Sequence, residues 1–548
     1  MASISQYNGV LDKRLAAHLL RRSTYSWNKA RIDALIGLTP DQAVDQLFVV
    51  PPLLNSEPLD YVTLQPWINS GVEPALSNDN LMDVVSGWWI NEAIHDTSIS
   101  HKLQFFLHSV FVISHQNMFG SRYFFDYLEL IRFYSLGSFK TLSKKMTLDN
   151  LMLDYLDGED NTDSDPNENY AREYLELFTI GKGPQIGPDD YTNFTELDVV
   201  EAAKLLSGWK QSSRPLGGDP QYIDPDTGIQ AGYGNFNHHD TTDKTFSYAF
   251  GGQTITGAVD LNDMYRELDD FVDMVFNQDE TARTICRRLY RYFVSGKIDS
   301  EIETDIIEPM ATTLRNANYV LEPAVKQLLK SQHFYDMDDG DSSDEIVGAL
   351  IKSPLELLGP TMNFFQIDII APEVNPDEHY DEWYAETVID ILFKSAGYPI
   401  FEPESVAGYP AYYQAPLYHR NWLDTSTVLA RYTFPDMLLT GNRILAGGDL
   451  GAGIQLDIVD FVQNSGVVGN PANAQDLLDD LVEYLLPEAL TPERENYFLN
   501  EVLLDGLSTT NWFFEWLNYL NTGDASAVRI PLENLFRALI FSREYQLM

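Results

Sequence analysis

The 548-residue chain contains one cysteine, Cys286. No intramolecular disulfide and no thiolate metal cluster can form from it. Set in the helical run Ala282 to Leu289, it reads as a buried, inert thiol rather than a nucleophile. Basic residues are scarce: 36 Lys plus Arg stand against 82 Asp plus Glu, a formal net charge of −46. Such a surface repels nucleic acid and anionic membranes, so nucleic acid is not an expected partner. The acidity fits high solubility, a salty medium or attraction for cations. Long apolar runs are also missing. No segment reaches about 18 apolar residues free of charge, so no membrane span is expected. The opening Met1-Ala2-Ser3-Ile4-Ser5-Gln6 lacks the basic start and apolar run of a signal peptide. No glycine-rich phosphate loop, nucleophile elbow or dinucleotide fingerprint occurs, which leaves those enzyme classes without sequence support.

What is present is a large supply of core. Hydrophobic residues make up 44% and aromatics 12% of the chain, which excludes disorder. The spacing of apolar residues is mostly helical. It predicts helices over Leu11 to Arg22, Trp27 to Ile36 and Pro40 to Val49, the last capped by Thr39 with proline in its first turn. Leu81 to His95, Ser98 to Ser114, Tyr123 to Tyr134 and Gly137 to Leu156 follow. Ser98 to Ser114 is apolar nearly all round and belongs at the centre of the core. A polar loop, 157–165, precedes a helix over Pro166 to Ile180 that stops at Gly181. Thr195 to Ser207 is the next, with Thr195 and Asp198 placed for a capping box.

Residues 210–256 are rich in Gly, Pro, Asp, Asn and Tyr and read as a long irregular excursion with room for a hairpin. Helices resume from Leu261 to about Leu358, interrupted by a second acidic loop, Asp336 to Glu345. Residues 366–385 and 395–420 read as long, ordered, aromatic loops, and Trp422 to Met548 returns to helix. The expected fold is mainly α: a large multi-helix body with long aromatic and acidic loops and little β. Its parts are an N-terminal helical part (1–209), an irregular insertion (210–260) and a C-terminal helical part (261–548) continuous with the first.

Three segments carry candidate chemistry. In the first, Asp165-Pro166-Asn167-Glu168 has the form of a helix cap, and Glu168 and Arg172 are spaced i,i+4 for a salt bridge. Glu173 lies one turn from Asn169 on another face, where a carboxylate and a carboxamide can hold a cation or a polar substrate group. In the second, His101, His108 and His115 recur every seven residues, about 10 Å apart along a helix, too far to share one metal. His108, among Phe105, Phe106, Leu107 and Phe111, reads either as a core histidine or as a ligand. In the third, Asn237-His238-His239-Asp240 followed by Lys244 offers imidazole and carboxylate donors of the kind that hold a divalent ion or act as a general base. Its bland alternative is a surface turn. Neither acidic loop fits the twelve-residue calcium loop, so both read as solvated loops.

Ala16-Ala17-His18-Leu19-Leu20-Arg21-Arg22-Ser23-Thr24-Tyr25 resembles the opening motif of the bacterial family catalogued as domain of unknown function 1800. Leu103 to Ser114, Pro166 to Gly181, Ser207-Gly208-Trp209, His239-Asp240 with Lys244, Lys352-Ser353-Pro354, and Gly408-Tyr409-Pro410 leading to Trp422 follow in the family's order. The resemblance implies a mainly helical protein of unknown biochemical function. It also implies an extracellular or periplasmic setting and a companion protein resembling sulfatases and phosphatases. Members carry Trp-His-x-His-Phe where this chain has Leu107-His108-Ser109-Val110-Phe111, so Val110 replaces the second histidine; Tyr409 replaces the tryptophan of Gly-Trp-Pro. A metal site here is then incomplete or refilled, with His238 as the candidate replacement.

Together these readings define a candidate His/carboxylate pocket. Its catalytic residues would be Glu173, Glu168, Arg172 and Asp240, and its donors to a divalent metal His108, His239 and Glu173. The function expected from it is metal-assisted hydrolysis. The alternative is a non-catalytic extracellular or envelope binding or assembly protein that uses its aromatic loops, such as Tyr409 to Tyr413, to meet carbohydrate or protein.

Overall fold

A computed structural model of the chain describes residues 2–49, 56–70, 72–115, 120–187, 190–213, 222–340, 345–445, 448–452 and 455–548. Part of the excursion (214–221) and part of the second acidic loop (341–344) lie outside them. The protein is mainly α, as its apolar periodicity predicts, and the described strands pair only as two-stranded antiparallel ribbons.

Helix starts follow local capping chemistry. Asp12 accepts from the Leu15 amide at the head of Lys13–Ser23, and Thr39 forms a full capping box with Gln42 ahead of Pro40–Leu47. Thr195 and Asp198 form the expected box at the start of Glu196–Leu205. These caps satisfy amides that have no partner inside their own helices. Helix lengths depart from the periodic pattern where tertiary packing takes over. Ser98 to Ser114 is helical only as Ser100–His108, though all nine residues of that helix are buried. The stretch over 137–156 splits into Phe139–Met146 and Asn150–Tyr155.

The segment starting at Pro166 needs the larger correction. Its helix opens at Asn169, not Pro166, and Asp165 does not cap it. The Asp165 amide instead donates to Thr162, and the Asn161 carboxamide takes the Asn167 amide, so the approach to the helix is a network of turns. After Asn169–Glu173 the chain continues as a π-wound turn, Tyr174–Phe178. A second correction concerns 366–385: residues Glu378–Lys394 form a long π-wound helix. It lies close against Asn78–His95, where a Cβ on Gly87 would come within 2.8 Å of the Tyr384 Cβ. Gly87 is what permits that approach.

The excursion after Trp209 is ordered by two short ribbons, Trp209–Lys210 with Tyr233–Gly234 and Lys244–Thr245 with Thr254–Ile255. Gly208 explains the Ser207-Gly208-Trp209 block. Its φ is +82°, and a Cβ there would lie 2.8 Å from the Asn235 carbonyl and 3.0 Å from the His239 amide. The residue lets the end of Glu196–Leu205 touch the backbone of the His238-His239 loop. The second aromatic loop turns inward: Tyr398, Phe401 and Tyr409 are buried and pack around Phe105 and His108, and buried Trp422 packs on Tyr398 and Tyr409. Buried apolar residues form one cluster reaching from Leu11 to Tyr545.

Replacing Gly208 with alanine combines a left-handed backbone with a backbone clash, and is expected to cost about 2 kcal/mol. Urea unfolding of Gly208→Ala measures this; a midpoint equal to that of the natural chain would contradict the packing described.

Candidate functional site

The three candidate segments occupy three different settings. On helix Asn169–Glu173, Arg172 is a clamp between helices. Its guanidinium donates to both oxygens of Glu196, at 2.8 and 2.7 Å, and to Glu168 at 3.0 Å. The fork on Glu196 raises the Arg172 pKa and holds Glu196 below the usual carboxylate range. Two parallel N–H···O bonds to one carboxylate fix orientation as well as charge. All three groups are partly exposed, so the network contributes modestly to stability. Glu168 thus faces Arg172 rather than the helix amides expected of a cap.

Glu173 points elsewhere. It is half-buried and makes no hydrogen bond or ion pair with a described residue. Burial, and then repulsion from Glu176, push its carboxyl up to about 7. The pairing with Asn169 is not made, because the Asn169 amide reaches Asp157 at 3.4 Å.

His239 is fully buried, not part of a surface turn. Its Nδ1–H donates to the Ser207 carbonyl at 2.9 Å, and its Nε2 lies 3.3 Å from Glu267 Oε2. With Nδ1 used as donor, the second contact needs a proton shared between imidazole and carboxylate. Lys244 donates to the same Oε2 at 2.8 Å and to the Asp240 carbonyl. Asp240 itself closes a turn, accepting from the Thr242 amide at 2.8 Å and its hydroxyl at 2.5 Å. The result is a buried Lys244–Glu267–His239 cluster whose other carboxylate oxygen has no partner among the described residues. A metal does not fit this donor set: the Lys244 ammonium already occupies the cation's position on Glu267, and both histidine nitrogens are engaged.

His108 sits in an aromatic cage of Phe105, Tyr127, Phe401 and Tyr409. Tyr127 donates to the Phe111 carbonyl at 2.7 Å, so His108 Nδ1–H must donate to the Tyr127 oxygen, 3.0 Å away. Nε2 is left as a bare, buried lone pair. Burial, then His115, push the imidazole pKa down to about 3, and it is neutral. His238, the candidate replacement for the missing second histidine, is exposed. His101 and His115 have acidic partners of their own, Asp96 at 2.6 Å and Glu402 at 3.5 Å. His108, Glu168 with Glu173, and His239 with Asp240 therefore share no partner. Among the described residues no group of three or more His, Cys, Asp or Glu is disposed to hold a metal.

Two features escape the motif reading. One is a buried charge centre around Glu356, which pairs with the fully buried Lys102 and closes the capping box of Pro354–Phe364 with Ser353. Burial opposes the Glu356 charge, but Lys102 and the Ser353 amide reverse this and hold the carboxyl below its ordinary range. Arg22, Lys352 and Arg431 are buried nearby and donate to backbone carbonyls. The Ser353-Pro354-Leu355-Glu356 spelling was a signal for the cap, but not for Lys102, which is 254 residues away.

The other is a cleft of about 650 Å³ between the end of helix Asp279–Phe293 and the segment 415–420. Arg291, Lys297, His419 and Arg420 line it. Of its two carboxylates, Asp299 caps the turn at Ser300–Ile302 and pairs with Lys297 at 3.4 Å, and Glu345 is hydrogen-bonded with Asp336. His419 Nδ1 accepts the Ile351 amide at 3.1 Å, which leaves Nε2–H beside Gly296 on the cleft wall. Burial, followed by Arg22 and Arg420, pushes this histidine down to about 4, so it is a neutral donor at pH 7. A second cleft of about 580 Å³ is lined by Asp12, Asp479, Glu483, Glu488 and Glu495 and shares the acidity of the surface.

The raised Glu173 carboxyl has a consequence for stability. Its folded pKa of about 7 lies above the ordinary glutamate value of 4.5, so ionisation is harder in the folded state. Native stability carried by this group is full below about pH 4.5 and is lost as the pH rises towards 7. Glu173→Gln is therefore expected to gain in melting temperature over the natural chain from pH 4 to pH 8. A difference that is flat or shrinks over that range would contradict the half-buried, unpaired carboxylate.

No curated protein and no solved structure matches the chain. A family model does, and it bears out the family resemblance. The model of the protein of unknown function DUF1800 aligns with residues 18–514, from His18 of the opening motif to Phe514. With a match over most of its length, the chain belongs to the DUF1800 family.

Proposed function

We propose that this chain is a binding protein that holds a small polar ligand in the cleft between helix Asp279–Phe293 and segment 415–420. The observation that carries the reading is the cleft's chemistry. In a chain of net charge −46, this recess is lined by Arg291 and Arg420, while its carboxylates are taken up, Asp299 by Lys297 and Glu345 by Asp336. Its size suits a small molecule. One wall is the continuation of the aromatic loop, where Leu417 is exposed and Tyr418 half-exposed. The aromatic-loop binding reading of the sequence is kept in an altered form: Tyr409 packs in the core, and 415–420 lines the cleft.

Metal-assisted hydrolysis has less support. Arg172 and Glu168 are paired with each other, Glu173 and His108 share no partner with His239 and Asp240, and Lys244 stands where a metal would be held on Glu267.

Hydrogen exchange on the intact protein, with and without a dialysable small-molecule extract, tests the proposal. Protection is expected in 290–302 and 415–420. A saturating ligand that protects only other segments, or an extract that protects nothing, would remove the cleft from consideration; protection spread over a wide outer surface would favour a protein partner instead.

A further inference from the structure

Helix Asp279–Phe293 carries four arginines that the structure treats in two ways. Arg283 and Arg287, in its first half, are neutralised. Arg283 donates to Glu308 at 2.6 Å and Arg287 to Glu303 at 2.6 Å, and both reach Glu280. Arg288 and Arg291, in its last half, make no hydrogen bond or ion pair with any described residue. Acidic residues are more than twice as common as basic ones in this chain, so shortage of counter-charge is not the reason. Spaced i,i+3, the two side chains share a face of the helix. They line a narrow recess with Ser109, Tyr292, Tyr412 and Tyr413, and no carboxylate lines it. Arg291 also lines the large cleft, so recess and cleft meet at this residue.

We infer that Arg288 and Arg291 are the receptor for an oxyanion, a phosphate, sulfate or carboxylate group, carried by a ligand whose body lies in the adjoining cleft. The inference rests on the cleft reading and names the ligand's chemical class. Arg291 Nε is buried without a partner, and the guanidinium lies over the Tyr418 ring at 4.7 Å, which orients it without neutralising it. A cation taken out of water with no counter-charge is costly, and a ligand anion recovers that cost through charge-assisted, forked hydrogen bonds. Both arginines show the strain of their position. Burial, and for Arg288 then repulsion from Arg291, lowers their pKa values, that of Arg288 to about 10. Tyr413 adds a hydroxyl to the recess wall, whereas the Ser109 hydroxyl there donates to the Phe106 carbonyl at 2.7 Å. Lys297 and Arg420 extend the cationic lining away from the recess, so a ligand with a second anionic or hydroxyl-rich end is accommodated.

The test is calorimetric titration of the intact chain with inorganic phosphate, sulfate and acetate, repeated on Arg288→Met and Arg291→Met, with hydrogen exchange at saturation. At least one anion is expected to bind saturably, and the favoured one shows which group the ligand carries. Affinity should fall at least tenfold in Arg288→Met, and this variant without anion should melt no lower than the natural chain, because an unpaired, partly buried charge has been removed. Were Arg288→Met not to fold, Arg288→Lys, which keeps the charge but gives up the fork, should show the same loss of affinity. No saturable binding of any of the three anions, or affinities unchanged in the variants, would overturn the inference. A neutral molecule that protects 290–302 and 415–420 while no anion binds would overturn the anion assignment and leave the cleft reading standing. An anion that saturates the protein and protects neither segment would sink both.

Discussion

The buried pair of Lys102 and Glu356 is the contact on which the rest of the interior depends. Two charges are removed from water at the meeting point of helices Ser100–His108 and Pro354–Phe364, and each is tolerable only because the other is present. Around them stand Arg21, Arg22, Lys352 and Arg431, all buried. One carboxylate cannot answer so many cations. The remainder are answered by backbone carbonyls from distant parts of the chain: Tyr484 for Arg21, Val294 and Ile346 for Arg22, Tyr545 for Lys352, and Trp422 and Lys352 for Arg431. All of these bonds except that from Arg431 to Trp422 join segments far apart in sequence, so this centre ties N-terminal, middle and C-terminal helices together. A chain that is strongly acidic outside therefore has a cationic core at this point, and the arrangement is stable because carbonyl dipoles share the charge.

The cleft is built on this centre. The two carbonyls that receive Arg22 come from Val294, at the end of helix Asp279–Phe293, and Ile346, on the cleft wall. Tyr292 donates to the Lys102 carbonyl from one face of that helix end while lining the recess of Arg288 and Arg291 on another. The proposed binding surface is thereby set between packed helices, and a ligand there would find its arginines already positioned. Preorganisation of this kind lowers the cost of ordering side chains on binding.

The candidate site residues chosen from motifs, Glu173 apart, each proved to have a structural partner. His239, Asp240 and Lys244 did prove to act as one unit, with Lys244 bridging to the backbone of Asp240 and to the carboxylate beside His239. Arg172 and Glu168 did form their i,i+4 pair. What was hidden in each case was the third member: Glu267 for the first and Glu196 for the second. Both are ordinary acidic residues on amphipathic helices, and nothing in their local spelling separates them from dozens of solvated carboxylates. The Asp165 cap was misread for a related reason. Asp-Pro-Asn-Glu satisfies the local rule for a helix start, but the side chains of Thr162 and Asn161 bind the amides of Asp165 and Asn167 first.

Local chemistry was therefore sufficient for some of this protein and silent on the rest. The sequence by itself determined the helical class, the capped helix starts at Pro40 and Glu196, the burial of Ser100–His108 and the acidic exterior. Each depends on residues within one or two turns of each other, or on composition alone. Only the tertiary structure decided that Tyr409 faces inward, that His239 is buried against Glu267, that Lys102 finds Glu356, and that Arg288 and Arg291 remain unpaired while Arg283 and Arg287 do not. Charge pairing is set by which side chains reach one another within about 4 Å once distant helices are packed, and that distance is not encoded in the spacing of either partner along its own helix.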